Sequence, residues 1–405
     1  MALQHILIND IDEQQLLRLI DGKVPEARDI EYKRESYGDG DSDRAEWLAD
    51  ISSFANTAGG DIIIGMEARA GVPTRLAPVT INLDQEILRL EQIARSNLQP
   101  RIPNLAFRRV SVADGELLII RTTRSYNAPH RIVRNGKGQN RFWARSSAGK
   151  YEPNVDELRA LFNLTPQLAD RIRDFRADRL AKIAAELTPV KLMDRMCLVL
   201  HVVPYSTLDP AGALISLPDV DQHPQPFAPI GSRSASNWWV NFDGIVIPSN
   251  ANREAPTQRA YTQVYRSGRI EAVASSIAPG DDQSGKAGRF SSIGVEGKIL
   301  SSLVRYLKGL QALGVEAPYA VMVSLIGTRG AHINIGIQGT WVEDEYSALI
   351  EDQYHFAEVI LERVPMSIQE CGVMLRPFVE QLANAAGRAA SPSFGPNGEY
   401  VNTFQ

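Results

Sequence analysis

The chain has 405 residues, 43 Lys and Arg against 48 Asp and Glu, a formal net charge of −5 and 44% hydrophobic residues. That length exceeds what one core ordinarily serves, so two domains are expected, with the composition of a soluble globular protein. No apolar run approaches the ~20 residues that cross a bilayer, and the N-terminus lacks the basic region of a signal peptide.

In chain order, residues 9–21 begin with acids and carry Ile11, Leu16, Leu17 and Ile20 at helical spacing, which predicts a leading helix ending at Gly22. Between Ile30 and Gly65, a short strand (IEYK, 30–33) precedes a helix. Asp43 reads as its N-cap, with Glu46 at capping-box spacing. Trp47, Leu48, Ile51 and Phe54 form its apolar stripe, and NTAGG (56–60) stops it. Asp61 to Gly65 reads as a strand buried on both faces, after a turn that Gly59 and Gly60 permit. Leu83 to Leu98 predicts a second helix. Leu105 to Ala113 and Glu116 to Thr122 predict a hairpin around Asp114-Gly115, and a third strand near Gln139 to Ala144 is expected to close the sheet.

Residues 155–187 predict a long amphipathic helix or helix pair, with Pro189 as a domain boundary. Beyond it, Met196 to Val203 reads as a buried strand, and Asn237 to Ile247 and Tyr261 to Ala274 as strand pairs, the latter turning at Gly268. Residues 275–292 read as a loop, Val295 to Leu313 as a helix and Tyr319 to Ile326 as a strand. Tyr354 to Leu361 and Val373 to Ala389 read as helices, and 390–405 as a tail with little core-forming character. The pair Trp238-Trp239 reads as core. Cys197 and Cys371, in apolar surroundings, read as buried thiols of a reducing compartment, so a cytoplasmic protein is expected.

The small net charge hides an asymmetry. Acids outnumber bases over the first 50 residues, whereas residues 101–150 carry 11 basic and 2 acidic side chains. Arg121, Arg124, Arg131, Arg134, Lys137, Arg141, Arg145 and Lys150 are interleaved with Tyr126, Phe142, Trp143 and Tyr151. A basic, aromatic-bearing segment is the footprint expected of a phosphate-backbone partner. A strand-rich segment with a solvated basic face is the alternative.

The run ISSFANTAGGDIIIG (51–65), with IEYK upstream, resembles the signature of the Schlafen-type AlbA-like domain, whose members read close to AFANTxGG and a buried strand after VEFK. Asn97 to Pro100 (NLQP), the Ala128 to His130 turn (APH) and Arg141 to Arg145 (RFWAR) ahead of Glu157-Leu158 match it in order. The resemblance covers roughly residues 15–165. It implies nucleic-acid binding, RNA first and DNA second. It also implies three carboxylates in the RNA-cleaving members, holding Mg or Mn. Two of these positions are matched by Glu26 and Glu31. The third falls at Ala68, preceded by Glu67, so either Glu67 substitutes by a one-residue shift or the site is incomplete. By spacing alone, Glu26 and Glu31 also suit solvated acids. Lys33 reads as a phosphate contact or an ion-pair partner, Asn56 and Thr57 as capping and turn residues, and His130 as a loop residue. No Cys/His cluster has zinc-ligand spacing. GDDQSGKA (280–287) nearly spells a phosphate-binding loop, but Ala287 stands where Ser or Thr would hold Mg, so no ATP site is expected.

The expected fold class is mixed α+β and α/β. A Schlafen AlbA-like domain with a small mixed sheet and packed helices (1–154) precedes a helical connector (155–188), an α/β domain of unassigned role (189–389) and a tail (390–405). The expected function is nucleic-acid binding, with Glu26, Glu31 and Glu67 as a candidate metal-dependent endoribonuclease site and a role in defence against foreign nucleic acid. Lys33, Arg121, Arg124, Arg131, Arg134, Lys137, Arg141 and Arg145 are the expected nucleic-acid contacts. Better known Schlafen cores pair two such lobes and this chain has one, so a homodimer is expected, with no membrane partner. The alternatives are a non-enzymatic DNA-binding transcriptional regulator with a sensing second domain, and a protein-interaction scaffold.

Overall fold

A computed structural model describes residues 3, 6–103, 105–136, 138–208, 214–252, 254–275, 277, 288–334 and 347–402. The chain divides into two compact units, Met1–Ala169 and Asp170–Gln405. In the first, α1 (Glu13–Asp21) starts on a capping box in which Asp12 accepts the Gln14 and Gln15 amides and Gln15 returns to the Asp12 amide. There follow β1 (Ile30–Lys33), α2 (Asp41–Ala55), β2 (Gly59–Ile64), β3 (Met66–Arg69), β4 (Val72–Leu76), α3 (Leu83–Asn97), β5 (Leu98–Gln99), β6 (Leu105–Val112), β7 (Gly115–Thr123), β8 (Arg131–Ile132), β9 (Ala144–Ser146) and β10 (Gly149–Tyr151).

The central sheet runs β1-β2-β7-β6, with β1 parallel to β2 and the other pairs antiparallel. β2 is buried throughout because both faces are covered. Ile62 and Ile64 pack with Trp47, Leu48, Ile51 and Phe54 of α2 and Leu90 of α3, while Ile63 packs with Leu16 and Leu19 of α1. Gly60 is required here: a β-carbon on it would overlap the Phe54 ring.

Two expectations fail in this unit. The fourth strand of the sheet is β1, delivered in parallel by the α2 crossover, so residues 139–144 do not close it. β8 pairs instead with β5, and β9 with β10. Helix α2 begins two residues before Asp43, at Asp41, with Gly40 as N-cap and no side-chain cap. Glu46 is drawn to Lys33, 2.6 Å away, where an ion pair outweighs a hydrogen bond to a solvent-exposed amide.

The division between units falls within α4 (Val155–Ala184), which carries Pro166 in its interior. The second unit continues with β11 (Cys197–Pro204), α5 (Leu217–Gln222), β12 (Trp239–Val240), β13 (Gly244–Pro248), β14 (Ala260–Tyr265), β15 (Ile270–Ala274), β16 (Arg289–Ser291), α6 (Ser292–Ala312), β17 (Tyr319–Ile326), β18 (His332–Asn334), β19 (Ser347–Ala348), β20 (Gln353–His355), β21 (Val359–Leu361), α7 (Ile368–Met374) and α8 (Arg376–Ala385). An antiparallel sheet runs β12-β13-β14-β15-β11-β17-β20, with β21 also on β17. Alternation along β11 sends Leu198, Leu200 and Val202 into the core with α6, α7 and α8, and Cys197 and Val199 to the opposite face, against Leu180 and Ile183 of α4. Cys371 lies in the same core, so both thiols are buried and free. Trp238 and Trp239 are half-buried on opposite faces, each against a different cluster.

Residues 354–361 are not a helix. Two short strands occupy this stretch because the edge of β17 presents amides and carbonyls that need partners. The C-terminal stretch is no loose tail either. Tyr400 is buried, its hydroxyl and that of Ser393 donate to Glu296 at 3.1 and 2.7 Å, and its ring lies against Gly372. The loop-like sequence at 280–287 lies outside the described residues.

Candidate nucleic-acid interface

Strand β1 alternates faces. Ile30 and Tyr32 join the core with α1, while Glu31 and Lys33 both turn toward α2. On α2, Glu46 and Asp50 stand four apart, hence on one helix face. The β9–β10 hairpin contributes Arg145 and Lys150 to the same place. Asp50 is fully buried and pairs with Lys150 at 2.5 Å, Lys33 at 3.5 Å and Arg145 at 3.8 Å, and it accepts the Tyr37 hydroxyl at 2.7 Å. Arg145 also pairs with Glu31, donates to the Ala27 carbonyl at 3.2 Å and stacks on the Phe54 ring at 4.4 Å. Lys33 reaches Glu46 at 2.6 Å and Glu31 at 3.8 Å. Glu31, Glu46 and Asp50 thus face Lys33, Arg145 and Lys150, and the formal charges cancel. Burial pulls the Lys33 ammonium down, but Asp50 and Glu46 outweigh it, and its affinity for the proton is raised.

The three carboxylates expected from sequence are each engaged. Glu26 accepts the Tyr32 amide at 3.0 Å. Its pKa is raised, chiefly by burial, against the lowering effect of that hydrogen bond, with Glu31 adding repulsion. Glu31 is held by Arg145, and Glu67 pairs with Arg75 at 2.6 Å and Arg34 at 4.0 Å. Among the described residues no three of His, Cys, Asp or Glu assemble as metal ligands. Mg or Mn would need hard oxygen donors open to it; Glu31 and Glu67 are already paired with guanidinium groups, while Glu26 accepts only a backbone amide. Two of the three expected donors are thus already occupied.

The basic segment divides. Arg121 is buried and forms a bidentate pair with Asp61, its cross-strand neighbour, at 2.8 and 3.0 Å, while donating to the Leu3 and Ile6 carbonyls. Arg145 is interior as well, and Arg134 is fastened to Asp41 at the start of α2. Lys137 lies outside the described residues. At the surface, Arg124 stacks on Tyr126 at 5.8 Å, and Arg141 is half-exposed beside Glu152. Arg131 stands opposite Phe142, next to Arg141 in the adjoining segment, with one long contact to Gln99 at 3.4 Å. Arg131 and Arg141 thus stand at neighbouring positions of two paired segments.

Residues 26–154 match the family model described as Schlafen, AlbA_2. Residues 26–154 of the N-terminal unit are a Schlafen AlbA_2 domain. No curated protein matches the chain. Among solved structures it is similar to the DIP2311 protein of Corynebacterium diphtheriae, at 15% identity and a TM-score of 0.26 over 38% of this chain and 29% of that one. It is also similar to the N-terminal domain of an ATP-dependent DNA helicase RecG-related protein from Nitrosomonas europaea, at 18% identity and a TM-score of 0.27 over 36% of this chain and 94% of that one. The chain spans less than a third of the length of the Corynebacterium protein. No helix among the described residues is long and apolar enough to cross a membrane.

Within the Schlafen AlbA_2 domain the FANT residues are fasteners. The Asn56 side chain accepts the His130 amide at 2.7 Å and donates to the Trp143 carbonyl at 2.9 Å, closing the segment that carries Arg131 and Arg141 onto the end of α2. Thr57 accepts the Arg145 amide at 2.9 Å. His130 is buried, held by the Pro100 carbonyl at 2.7 Å, and burial lowers its pKa. Sequence reading missed Asp50 and Glu46 as members of the charged network. Their signal was present in the Glu-x-Lys alternation of the strand and the four-residue acid spacing of the helix.

Proposed function

We propose that this protein binds nucleic acid through its Schlafen AlbA_2 domain without cutting it, with RNA as first partner and duplex DNA as second. The observation that supports binding without cleavage is the paired state of the carboxylates: Glu31 on Arg145, Asp50 among three cations, Glu67 on Arg75. Arg131 and Arg141, beside the half-buried ring of Phe142, supply the phosphate contacts. Titration of labelled hairpin RNA, single-stranded RNA and duplex DNA between about 50 and 200 mM salt tests this. Affinity is expected to fall steeply with salt. The slope should drop by about two in the Arg131→Ala/Arg141→Ala double variant, because each arginine neutralises one phosphate. Absence of saturable binding at the lowest salt would refute it.

A further inference from the structure

The second unit contains a cleft of about 790 Å³ between the loop after α5, the start of β14, the end of β15 and α6. Its described lining includes two cations, Lys298 and Arg259, no carboxylate, and the hydroxyls of Ser232, Ser236, Ser249 and Thr257. Lys298 is half-buried, and its methylene stem passes over Gly231, with Cε 3.7 Å from where a β-carbon on that glycine would lie. Burial alone lowers the pKa of its ammonium, with no acid among the described residues near enough to oppose it. Elsewhere in the unit Arg176 pairs with Glu358 at 3.0 Å and Arg179 with Glu271 at 2.7 Å, while Arg269 and Arg305 donate to Thr207 and to the Ala228 carbonyl. The rim is set by Ser249, whose Oγ accepts the amides of Arg259 and Ala260, each at 3.1 Å.

We infer that this cleft is a binding site for a small phosphate monoester carrying hydroxyl groups, with Lys298 and Arg259 on the phosphate and the serine and threonine hydroxyls on the remainder. A half-buried ammonium with no acid among the described residues beside it is costly to fold around, and a dianionic ligand supplies that charge. The volume is that of an ordinary small-molecule site. The proposal is independent of nucleic-acid binding by the first unit.

Calorimetric titration of the full chain with adenosine monophosphate, ribose 5-phosphate, inorganic phosphate and uncharged adenosine tests it. At least one organic phosphate is expected to bind saturably, and adenosine at least about tenfold more weakly, because it lacks the charge-assisted hydrogen bonds of the phosphate. Lys298→Met keeps the stem over Gly231 and removes the charge, and should weaken binding about tenfold. Lys308→Met, an exposed lysine on the same helix, should leave binding unchanged. Saturation by inorganic phosphate with no gain from the organic esters would overturn the assignment to a monoester. Absence of saturation by every phosphate up to about 10 mM, or equal affinity in Lys298→Met, would overturn the site itself.

Discussion

Asp50 shows how a side chain can be catalytic in kind and structural in use. A buried carboxylate facing three cations is costly to disrupt, because removing it leaves like charges together out of water. Asp50→Ala is expected to destabilise the first unit by about 3 kcal/mol in urea denaturation; a loss under about 1 kcal/mol would mean that water reaches the network. Glu271 plays the same part in the second unit. Burial pushes its carboxyl up, but hydrogen bonds from His201 (3.1 Å) and Arg179 (2.7 and 2.9 Å) prevail and hold it down at about 2. A carboxylate with a folded pKa below its unfolded value near 4.5 adds stability that is complete above that value and is lost as pH falls toward 2. This one group is worth on the order of 3 kcal/mol. Acid unfolding of Glu271→Gln should therefore show a flatter dependence between pH 4.5 and 2 than the unaltered chain, from a lower starting stability. Parallel curves would contradict the assignment.

Among the elements, those with a strong period were legible and those decided by partners were not. α1, α3, α6, β17 and the β6–β7 hairpin follow from spacing and from Asp114-Gly115. Residues 354–361 carry apolar positions that suit a helix, but the open edge of β17 takes them as strands. Nothing local to residues 139–146 says that Asn56, more than 80 residues earlier, will hold them. The same limit governs the site. The motif residues were visible, yet a carboxylate looks alike in sequence whether a metal or an arginine faces it, and the run of arginines does not say that Arg121 and Arg145 turn inward. Gly60→Ala, which brings a methyl group onto the Phe54 ring and the Asp29 carbonyl, should cost about 3 kcal/mol by urea denaturation. Asn56→Ala, which leaves the buried His130 amide without its acceptor, should cost about 2 kcal/mol. A larger loss from Asn56→Ala than from Gly60→Ala would place the greater constraint in the 128–143 segment.

The whole molecule combines a Schlafen AlbA_2 domain, in which Glu31, Asp50 and Glu67 are paired internally, with a second unit whose cleft is lined by cations without a facing acid among the described residues. The most direct test is to incubate the full chain with labelled RNA and duplex DNA in Mg, Mn or chelator, following binding and strand integrity together, beside Glu31→Ala. The expected result is salt-sensitive binding to strands that stay intact in every metal. Cleavage that requires the metal and disappears in Glu31→Ala would contradict binding without cleavage and restore the endoribonuclease reading.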